Sequence, residues 1–468
     1  LTLYKNGDAR LAFYSNENKK EKLLFDQNII TVKDTVYHEN LPAKFNAITK
    51  ASIYSSEMTK KSIFHNFLFG KHYRKYYSMP IEAKVATVDT LLGGLKPIRE
   101  GGGHQSVSLR MSDPKGREFV MRVMKKSATV FLQSVAFKDQ YVVNDFQNTY
   151  AEDFLFDFYT TSHPYAPYAI GGMSNKLGLL HTNPILYYIP RQNGLGEFNA
   201  GFGDQLYMVE ERPADNHLDG KNFGNPTNII GTVDMMLNLH KDEKYSVDEK
   251  EYIKARLFDM LIGDWDRHED QWRWKTDKTK KGKNYIAVPR DRDQVFYSSD
   301  GFIQRFAQGS SLLPMMQGYE REIKKIDWFL WEGRAMNSRL LSQYTEAEWD
   351  AKVKDFCERL TDDVFEKALK SLPEPNYTLR HDQFLTRLKE RRASLPKLMN
   401  DFYHFFNRIV DIQASHKNEK VVITDSTGFL KVKVNKISKE GNLKEEIFSN
   451  TFDPKITKEV RLYTKDGN

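Results

Sequence analysis

The sequence predicts an α+β fold with two lobes, and three observations support that prediction. The chain has 468 residues, which is longer than one hydrophobic core usually organises. Hydrophobic residues make up 40% of it and aromatic residues 13%, enough for more than one core. A segment rich in short strands, residues 85–215, precedes a mainly helical segment, residues 216–410, and this segregation is typical of the α+β class.

The two ends of the sequence predict a piece of a larger protein. It begins in a strand-like run, LTLYKNGDARLAFY, without an initiator Met, and stops in another, TKEVRLYTKDGN. Residues 1–84 carry short alternating runs between polar turns, which predict irregular β-structure. We therefore expect residues 1–84 to be the tail or edge of an upstream domain.

Charge and cysteine content argue against several classes of protein. The net charge of +7 comes from 70 basic and 63 acidic residues that are interleaved along the chain, so no nucleic-acid partner is predicted. The one cysteine, Cys357, excludes a disulfide framework and a cysteine-based metal site. No apolar run approaches the roughly 18 residues that predict a membrane-spanning helix.

The strand-rich segment begins with a glycine cluster, Gly101, Gly102 and Gly103. Successive backbone N–H groups in such a loop can bind phosphate, and a plain flexible turn is the alternative. The remaining predictions for this segment are two strands joined by a turn at 113–116, helix over 140–180 with a break at His163-Pro164, and two further strands within 182–212.

The helical segment contains two helix-start signals. In SVDE, Ser246 lies three residues before Glu249, which predicts a capping box that opens a helix over 247–262. The sequence TEAE at Thr345 is the second signal. After about residue 411 short β-rich runs return, so we expect residues 411–468 to form an adaptor leading to a domain absent from this chain.

The densest polar stretch, residues 263–296, predicts a hairpin. Residues 271–275 and 284–288 are strand-like, and the lysines and glycine between them suit a turn. Antiparallel pairing would then gather five polar side chains at one end of the hairpin. They are Asp266, His268, Gln271, Asp291 and Asp293. Oxygen ligands of this kind suit Mg²⁺ or Mn²⁺; plain ion pairs that hold a turn are the alternative.

Three motifs resemble those of known phosphotransferases. DRHEDQ resembles the catalytic loop DRHxxN of phosphoinositide-type and other atypical kinases. The pairing of DRHEDQWRW with PRDRDQVF is similar to the spore-coat kinase (CotH) family, and GDQLYMVEE resembles the strand of that family at the lobe junction. The resemblance implies a two-lobed atypical protein-kinase-like fold with a mostly helical C-lobe, a divalent metal ion and ATP or another phosphorylated ligand.

Longer motifs resemble a family of large outer-membrane proteins of Bacteroidetes. They are GGL, GGGHQS, SLR, SHPYA, LFDMLIGDWDRHEDQWRW, PRDRDQVF and TKEVRLY, within residues 85–468. In that family a calcineurin-like phosphoesterase domain precedes this region and a BamA-like surface-antigen barrel follows it. The resemblance implies that these domains are covalently linked partners, that the location is the periplasmic face of the outer membrane, and that membrane contact comes only through the parent protein.

The kinase resemblance assigns roles to residues at the predicted hairpin. Asp266 matches the catalytic Asp that accepts or orients a hydroxyl proton. His268 would structure the catalytic loop, with a core histidine as an equal alternative. Gln271 stands where kinases have a metal-binding Asn, a departure that places the amide oxygen on a longer arm. Asp291 matches the metal-binding Asp, and Asp293 is the natural second ligand.

In the strand-rich lobe the resemblance leaves several choices open. A cation near the end of the strand GREFVMRVMKK should contact the phosphates, and Arg122 and Lys125 are the two candidates. The acidic partner of that cation could be Glu152 or Asp157. Glu210, followed by Glu211, is either an adenine-side hinge residue or a strand-end charge.

Two functions are predicted from these motifs. The first is phosphoryl transfer to a hydroxyl acceptor by a CotH-like kinase. The second is a non-catalytic kinase-like connector between phosphoesterase and barrel, because ATP is scarce in the periplasm. A metal-dependent hydrolase ranks last, since no histidine-rich site is evident.

Overall fold

The structure of the protein is a computed structural model with two compact units. It describes residues 2–3, 9–17, 20–29, 44–101, 106–127, 149–214, 217, 220–280, 282–309, 312–341 and 344–466. The units are Leu1–Phe45 and Asn46–Asn468. The first contains an antiparallel sheet of the strands Thr2–Leu3, Ala9–Glu17 and Lys20–Ile29 in that order. The predicted domain boundaries near residues 84, 215 and 410 stay predictions.

A five-stranded antiparallel sheet forms one lobe of the second unit. Its strands, in spatial order, are Lys96–Gly101, Ser108–Ser112, Glu118–Val123, Gln205–Glu211 and Ile185–Ile189. Alternation along the strands sends Leu109, Met111 and Met121 into a core that belongs to this sheet. The predicted turn at 113–116 is confirmed, with Gly116 N donating to Asp113 O at 3.0 Å.

The second unit also contains helices, and many of them bury a face in its larger core. The helices are Ser56–Thr59, Ile63–Phe69, Arg74–Ser78, Tyr150–Tyr159, Ile170–Leu177, Asn199–Phe202, Thr232–Lys241, Glu249–Ile262, Phe302–Gly309, Ile326–Phe329, Arg334–Leu340, Glu346–Arg359, Asp362–Leu369 and Asn376–Phe406. None of the helices in the described ranges is long and apolar enough to cross a membrane. A sheet with its own core beside a helical core confirms the predicted α+β class.

The prediction of β-structure throughout residues 1–84 is wrong in part. Only Ile48–Ala51 and Ile81–Lys84, which pair with each other, are strands within residues 46–84. The short helices between them bury Tyr76 and Tyr77 in the main core. Burial of these large aromatic rings outweighs the local preference of aromatic residues for strands.

The two helix-start predictions have different outcomes. Thr345 and Glu348 form the predicted capping box. Ser246 does not cap a helix, because it lies in the strand Tyr245–Val247, which pairs in parallel with Lys283–Pro289. The helix begins two residues later than predicted, at Glu249, and Asp248 accepts from Glu251 N at 3.2 Å. Asp is as good an N-cap as Ser, so strand pairing decided between them.

The predicted hairpin is present, and its register differs by one residue from the expected one, which set Gln271 opposite about position 289. Trp272–Lys278 pairs with Lys283–Pro289, and Trp272 lies opposite Pro289. Asn228–Gly231 and Tyr245–Val247 complete this sheet at its two edges. The strands after the long helix are Ile409–Gln413, Glu419–Ser426, Phe429–Ile437, Leu443–Phe452 and Glu459–Tyr463, as predicted for the β-rich end of the chain.

Candidate functional site

The loop between a buried helix and the hairpin carries the candidate catalytic residues. The helix Glu249–Ile262 ends at Gly263, whose φ of 76° is left-handed. A side chain at Gly263 would place its Cβ 2.7 Å from the ring of Tyr319, so both conformation and space require glycine. A single 3-10 turn, Glu269–Gln271, leads into the hairpin. The loop is therefore fixed at both ends.

A buried ion network lies beneath this loop. Asp259, in the preceding helix, is fully buried and accepts from Arg256 at 2.7 Å and from Arg292 at 2.6 Å. Arg267 lies 3.5 Å from both Asp259 and Asp264. It also donates to a backbone carbonyl at the hairpin exit at 2.8 Å. The arginine of the DRH motif thus ties the loop to the helix below it and to the hairpin exit.

The same loop carries Asp266 and His268. Burial raises the pKa of Asp266 to about 6, and repulsion from Asp293 adds to the rise. His268 Nε2 lies 3.9 Å from Asp266 Oδ1, and the imidazole is 41% exposed. Its Nδ1 accepts from Asp270 N at 3.3 Å. His268 is consequently a turn-capping residue beside the candidate base, and the alternative of a core histidine is wrong.

Gln271 presents an amide oxygen that can bind a cation. Its side chain is buried, and its Nε2 lies 3.2 Å from His268 Nε2. Its Oε1 is buried without a hydrogen-bond partner among the described residues. A buried carbonyl oxygen without a partner is costly, and a divalent cation would satisfy it.

Asp291 and Asp293 pair directly with cations of the sheet lobe. Arg122 Nη1 donates to Asp291 Oδ1 at 2.8 Å, and Lys126 Nζ donates to Asp293 Oδ2 at 3.4 Å. The Arg122 guanidinium also lies 3.9 Å from Glu210 Oε1. Asp291 has a φ of 56°, which Asp tolerates better than most residues. These two ion pairs connect the lobes at the position expected for phosphate and metal.

The charges at this junction shift the pKa values of Asp291 and Glu210, the two carboxylates that face Arg122. Burial alone would raise the pKa of Asp291, but Arg122 and Arg290 outweigh it and the net shift is downward. Burial raises the pKa of Glu210, and attraction by Arg122 offsets only part of that rise. Asp291 is therefore the carboxylate that stays ionised, as a metal ligand must be.

An arginine-lined cavity of about 80 Å³ lies beside the Arg122–Asp291 pair. Arg110, Arg122, Arg212 and Arg290 line it. The Nε atoms of Arg110, Arg122 and Arg212 and Nη1 of Arg110 are buried without hydrogen-bond partners in the described part of the chain. Burial, with repulsion from Arg212, lowers the pKa of Arg110 to about 10. Four arginines face three carboxylates, Glu210, Glu211 and Asp291, in this lining, and the unsatisfied guanidinium donors make the cavity suited to an anion.

Three of these arginines were not predicted as site residues. The strand Ser108–Ser112 carries Arg110. Arg212 directly follows the strand Gln205–Glu211, and Arg290 directly follows the hairpin strand Lys283–Pro289. The usable signal was in the strand SLRMS, where Leu109 and Met111 alternate with polar residues. Arg110 therefore lies on the opposite face of the strand, which is also the face that carries Arg122.

The structure separates several other predicted residues from the junction. Lys125 is exposed, so Arg122 and Lys126 are the cations that meet the acidic residues. Asp157 is buried against Arg74 and is not the partner of Arg122. Glu152 N donates to Thr149 at the start of its helix.

The glycine cluster falls only partly within the described ranges. Gly101 is the last residue of the strand Lys96–Gly101 and pairs with Ser108. A Cβ at Gly101 would meet the Ser108 hydroxyl at 2.5 Å. Gly102 and Gly103 lie outside the described residues, so phosphate binding by this loop stays a prediction.

Two further features bear on a ligand at the junction. Among the described residues, no group of three or more His, Cys, Asp or Glu side chains could hold a metal ion by itself. A metal here would accordingly need the amide of Gln271 and ligand oxygens as well as carboxylates. A larger cavity of about 590 Å³ is lined by Glu249, Arg339 and Lys436, among others, and by none of the predicted site residues.

No family model and no curated protein matches the chain. One similar solved structure is the crystal structure of a Helicobacter pylori proinflammatory kinase, CtkA, with a TM-score of 0.33 and 11% sequence identity. The match covers 63% of this chain and 93% of the kinase chain. At this TM-score it supports no conclusion about function.

Proposed function

We propose that the junction between the lobes binds a divalent metal ion together with a phosphorylated ligand, and that it transfers a phosphoryl group to a hydroxyl acceptor. The arginine-lined cavity beside Asp291 carries this proposal. Nε of Arg110, Arg122 and Arg212, together with Nη1 of Arg110, lack partners among the described residues. Phosphate oxygens are the anionic acceptors that arginine binds in bidentate fashion.

The residues at the hairpin end fit a metal ion of the Mg²⁺ or Mn²⁺ type. Asp291 keeps its charge, and the unpartnered Oε1 of Gln271 offers a second oxygen. Asp293 supplies a third when it releases Lys126. Such an ion, when bound, neutralises charge on the phosphate oxygens.

Asp266 would accept the proton of the acceptor hydroxyl. Its raised pKa of about 6 leaves most molecules ionised at neutral pH while keeping the carboxylate basic enough to take a proton. His268 and the buried Arg267 would hold the loop so that the carboxylate stays in place. Arg122 would exchange its contact with Asp291 for one with a phosphate oxygen.

A second candidate function is a non-catalytic connector. The small size of the cavities at the junction between the lobes, here called the closed junction, favours it. The cavities next to Arg122 and Asp291 measure about 80, 50 and 20 Å³, which is far below the several hundred Å³ of an ordinary ligand pocket. Entry of ATP would require the lobes to separate and both ion pairs to break. For a connector, Asp291→Ala should leave function in cells intact.

Location and covalent partners are part of the same proposal. We place the domain at the periplasmic face of the outer membrane, between a phosphoesterase and a barrel domain, on the basis of the motif resemblance. If ATP is scarce there, another phosphorylated compound is the ligand. Reading the neighbouring coding sequence tests this placement directly.

We expect Asp291→Ala to remove binding of ATP with Mn²⁺. The parent chain should gain thermal stability with saturating Mn²⁺ and ATP, about 2.7 kcal/mol at a hundred times the dissociation constant. The variant should gain almost nothing, because it lacks the ionised metal ligand. Asp363→Ala, which removes an exposed carboxylate paired with Lys367, is the matched control. No shift in the parent chain, or an equal shift in Asp291→Ala, would count against the proposal.

Arg122→Gln should change metal and phosphate affinities in opposite directions. The substitution frees Asp291 of its cationic partner, so the affinity for Mn²⁺ alone should rise. It also removes a phosphate contact, so affinity for inorganic triphosphate should fall by roughly tenfold or more, the value of one charge-assisted hydrogen bond. Isothermal titration measures both, with the exposed Arg99→Gln of the same sheet as control. A fall in both affinities would contradict the assigned role of Arg122.

A further inference from the structure

Two neighbouring short helices present large apolar side chains to solvent. The helix Ile63–Phe69 contacts the helix Phe302–Gly309. The apolar patch consists of Ile63, Phe64, Phe67, Phe302, Ile303 and Phe306. Their exposed fractions are 91%, 70%, 62%, 56%, 38% and 63% in that order. Exposed apolar groups that form one contiguous surface mark interaction sites in soluble proteins.

The patch is held in shape from beneath by polar contacts. Phe67 and Phe302 stack across the two helices with ring centres 5.8 Å apart. Gln304 Nε2 donates to Phe69 O at 2.9 Å. Asp300, just before the second helix, accepts from His72 N at 3.1 Å. These contacts hold the two helices together and present the aromatic rings as one organised surface.

Basic residues predominate in the two segments that carry the patch, and the exposed acids Glu57 and Asp300 stand immediately before these segments. No acidic residue occurs from residue 58 to residue 81 or from residue 301 to residue 319. Lys60 precedes the first helix, Lys71 follows it, and Arg305 lies within the second, and all three are exposed. Elsewhere in the chain basic and acidic residues are interleaved. Basic side chains beside exposed aromatic rings are the composition of a surface that binds anionic lipid.

We propose that the apolar patch docks the protein on an anionic lipid surface. Phenylalanine rings enter the boundary between headgroups and acyl chains, and Lys60, Lys71 and Arg305 attract the headgroup phosphates. A second copy of the chain would bring these like charges together, which opposes association through this face. The second helix starts nine residues after Asp293, so docking would place a membrane near the chain segment that leaves the candidate site.

Vesicle co-sedimentation of the full chain tests the proposal. We expect binding to phosphatidylcholine vesicles that contain phosphatidylglycerol, and weak binding to phosphatidylcholine alone. The double variant Phe64→Ser with Phe306→Ser should reduce the bound fraction about tenfold, since each ring contributes buried apolar area. The double variant Phe405→Ser with Phe429→Ser, which removes two exposed rings elsewhere, should bind as the parent chain does.

A charge variant keeps the test valid if the aromatic variant folds poorly. Lys60→Gln with Lys71→Gln leaves every ring of the patch in place and should lower binding to anionic vesicles several-fold, with an effect that fades at high salt. Equal binding of this variant would overturn the proposal. Equal binding to neutral and anionic vesicles, or no binding to either, would also overturn it. Sedimentation velocity that shows a dimer abolished by the aromatic substitutions would assign the face to a second copy instead.

Discussion

Replacing Asp259 with Ala is expected to cost about 3–5 kcal/mol of folding free energy, the usual loss when one partner of a buried ion network is removed. Asp259 is fully buried and accepts from Arg256 and Arg292 at 2.7 and 2.6 Å, with Arg267 at 3.5 Å. Without it, Arg267 and Arg292 would keep Asp264 at 3.5 and 3.4 Å, and Arg256 would lose the carboxylate with which it pairs. Denaturant unfolding, followed by tryptophan fluorescence, measures the loss.

A carboxylate in another helix provides the control for this result. Asp355→Ala removes an exposed carboxylate that pairs with Arg359 at 3.0 Å, one helical turn away. Exposed pairs of this kind contribute about 0.3–0.5 kcal/mol. If Asp259→Ala were as mild as Asp355→Ala, the network would not be what fixes the candidate loop.

The hairpin was predictable because its signals are local. A lysine- and glycine-containing turn between two apolar runs determines a register, and the register determines which polar residues meet. The pattern set Gln271 opposite about position 289, one residue from the observed pairing of Trp272 with Pro289. The start of the neighbouring helix was missed by two residues, since Ser246 is held in a strand pair by residues 38 positions away. Local capping preference cannot report such a distant partner.

The closed junction could not be predicted from the sequence. Arg122 was one of two candidate cations, and only the bend of the chain after the strand shows that Lys125 faces solvent. The partners of Arg122 lie 88 and 169 positions away, at Glu210 and Asp291. Pairing over such separations depends on how the two lobes pack. Motifs indicated which residues carry charge, while packing decided which charges neutralise one another.

The buried network and the closed junction perform different tasks with the same residue types. Around Asp259 the ion pairs are fully buried, so they tie the helix, loop and hairpin exit together permanently. Arg122 and Asp291 are 24% and 20% exposed, and water can replace either partner. A ligand that carries both a cation and an anion can therefore exchange with the junction pair without unfolding the loop.

Replacing Asp266 with Asn is expected to lower phosphoryl transfer by about 10²–10⁴-fold, the usual contribution of a positioned general base. Asn keeps the shape of the side chain but cannot accept the hydroxyl proton. Transfer of the terminal phosphate of ATP, with Mn²⁺, to the chain itself or to water gives the rate. Thermal stabilisation by ATP and Mn²⁺ should persist in the variant, because Asp291 and Gln271 are unchanged.

The pH profile of the parent chain distinguishes a base from a merely structural carboxylate. Only ionised Asp266 can accept a proton, and its pKa is about 6. At pH 5 roughly a tenth of the free protein is ionised, so kcat/KM should fall about tenfold from its plateau above pH 7. The raised pKa also means that ionising Asp266 costs folding energy as the pH rises through 6. Asp266→Asn should then be at least as stable as the parent chain at pH 7. Asp270→Asn, at an exposed position of the same loop, should retain both rate and pH profile; a profile unchanged in Asp266→Asn would show that another group is the base.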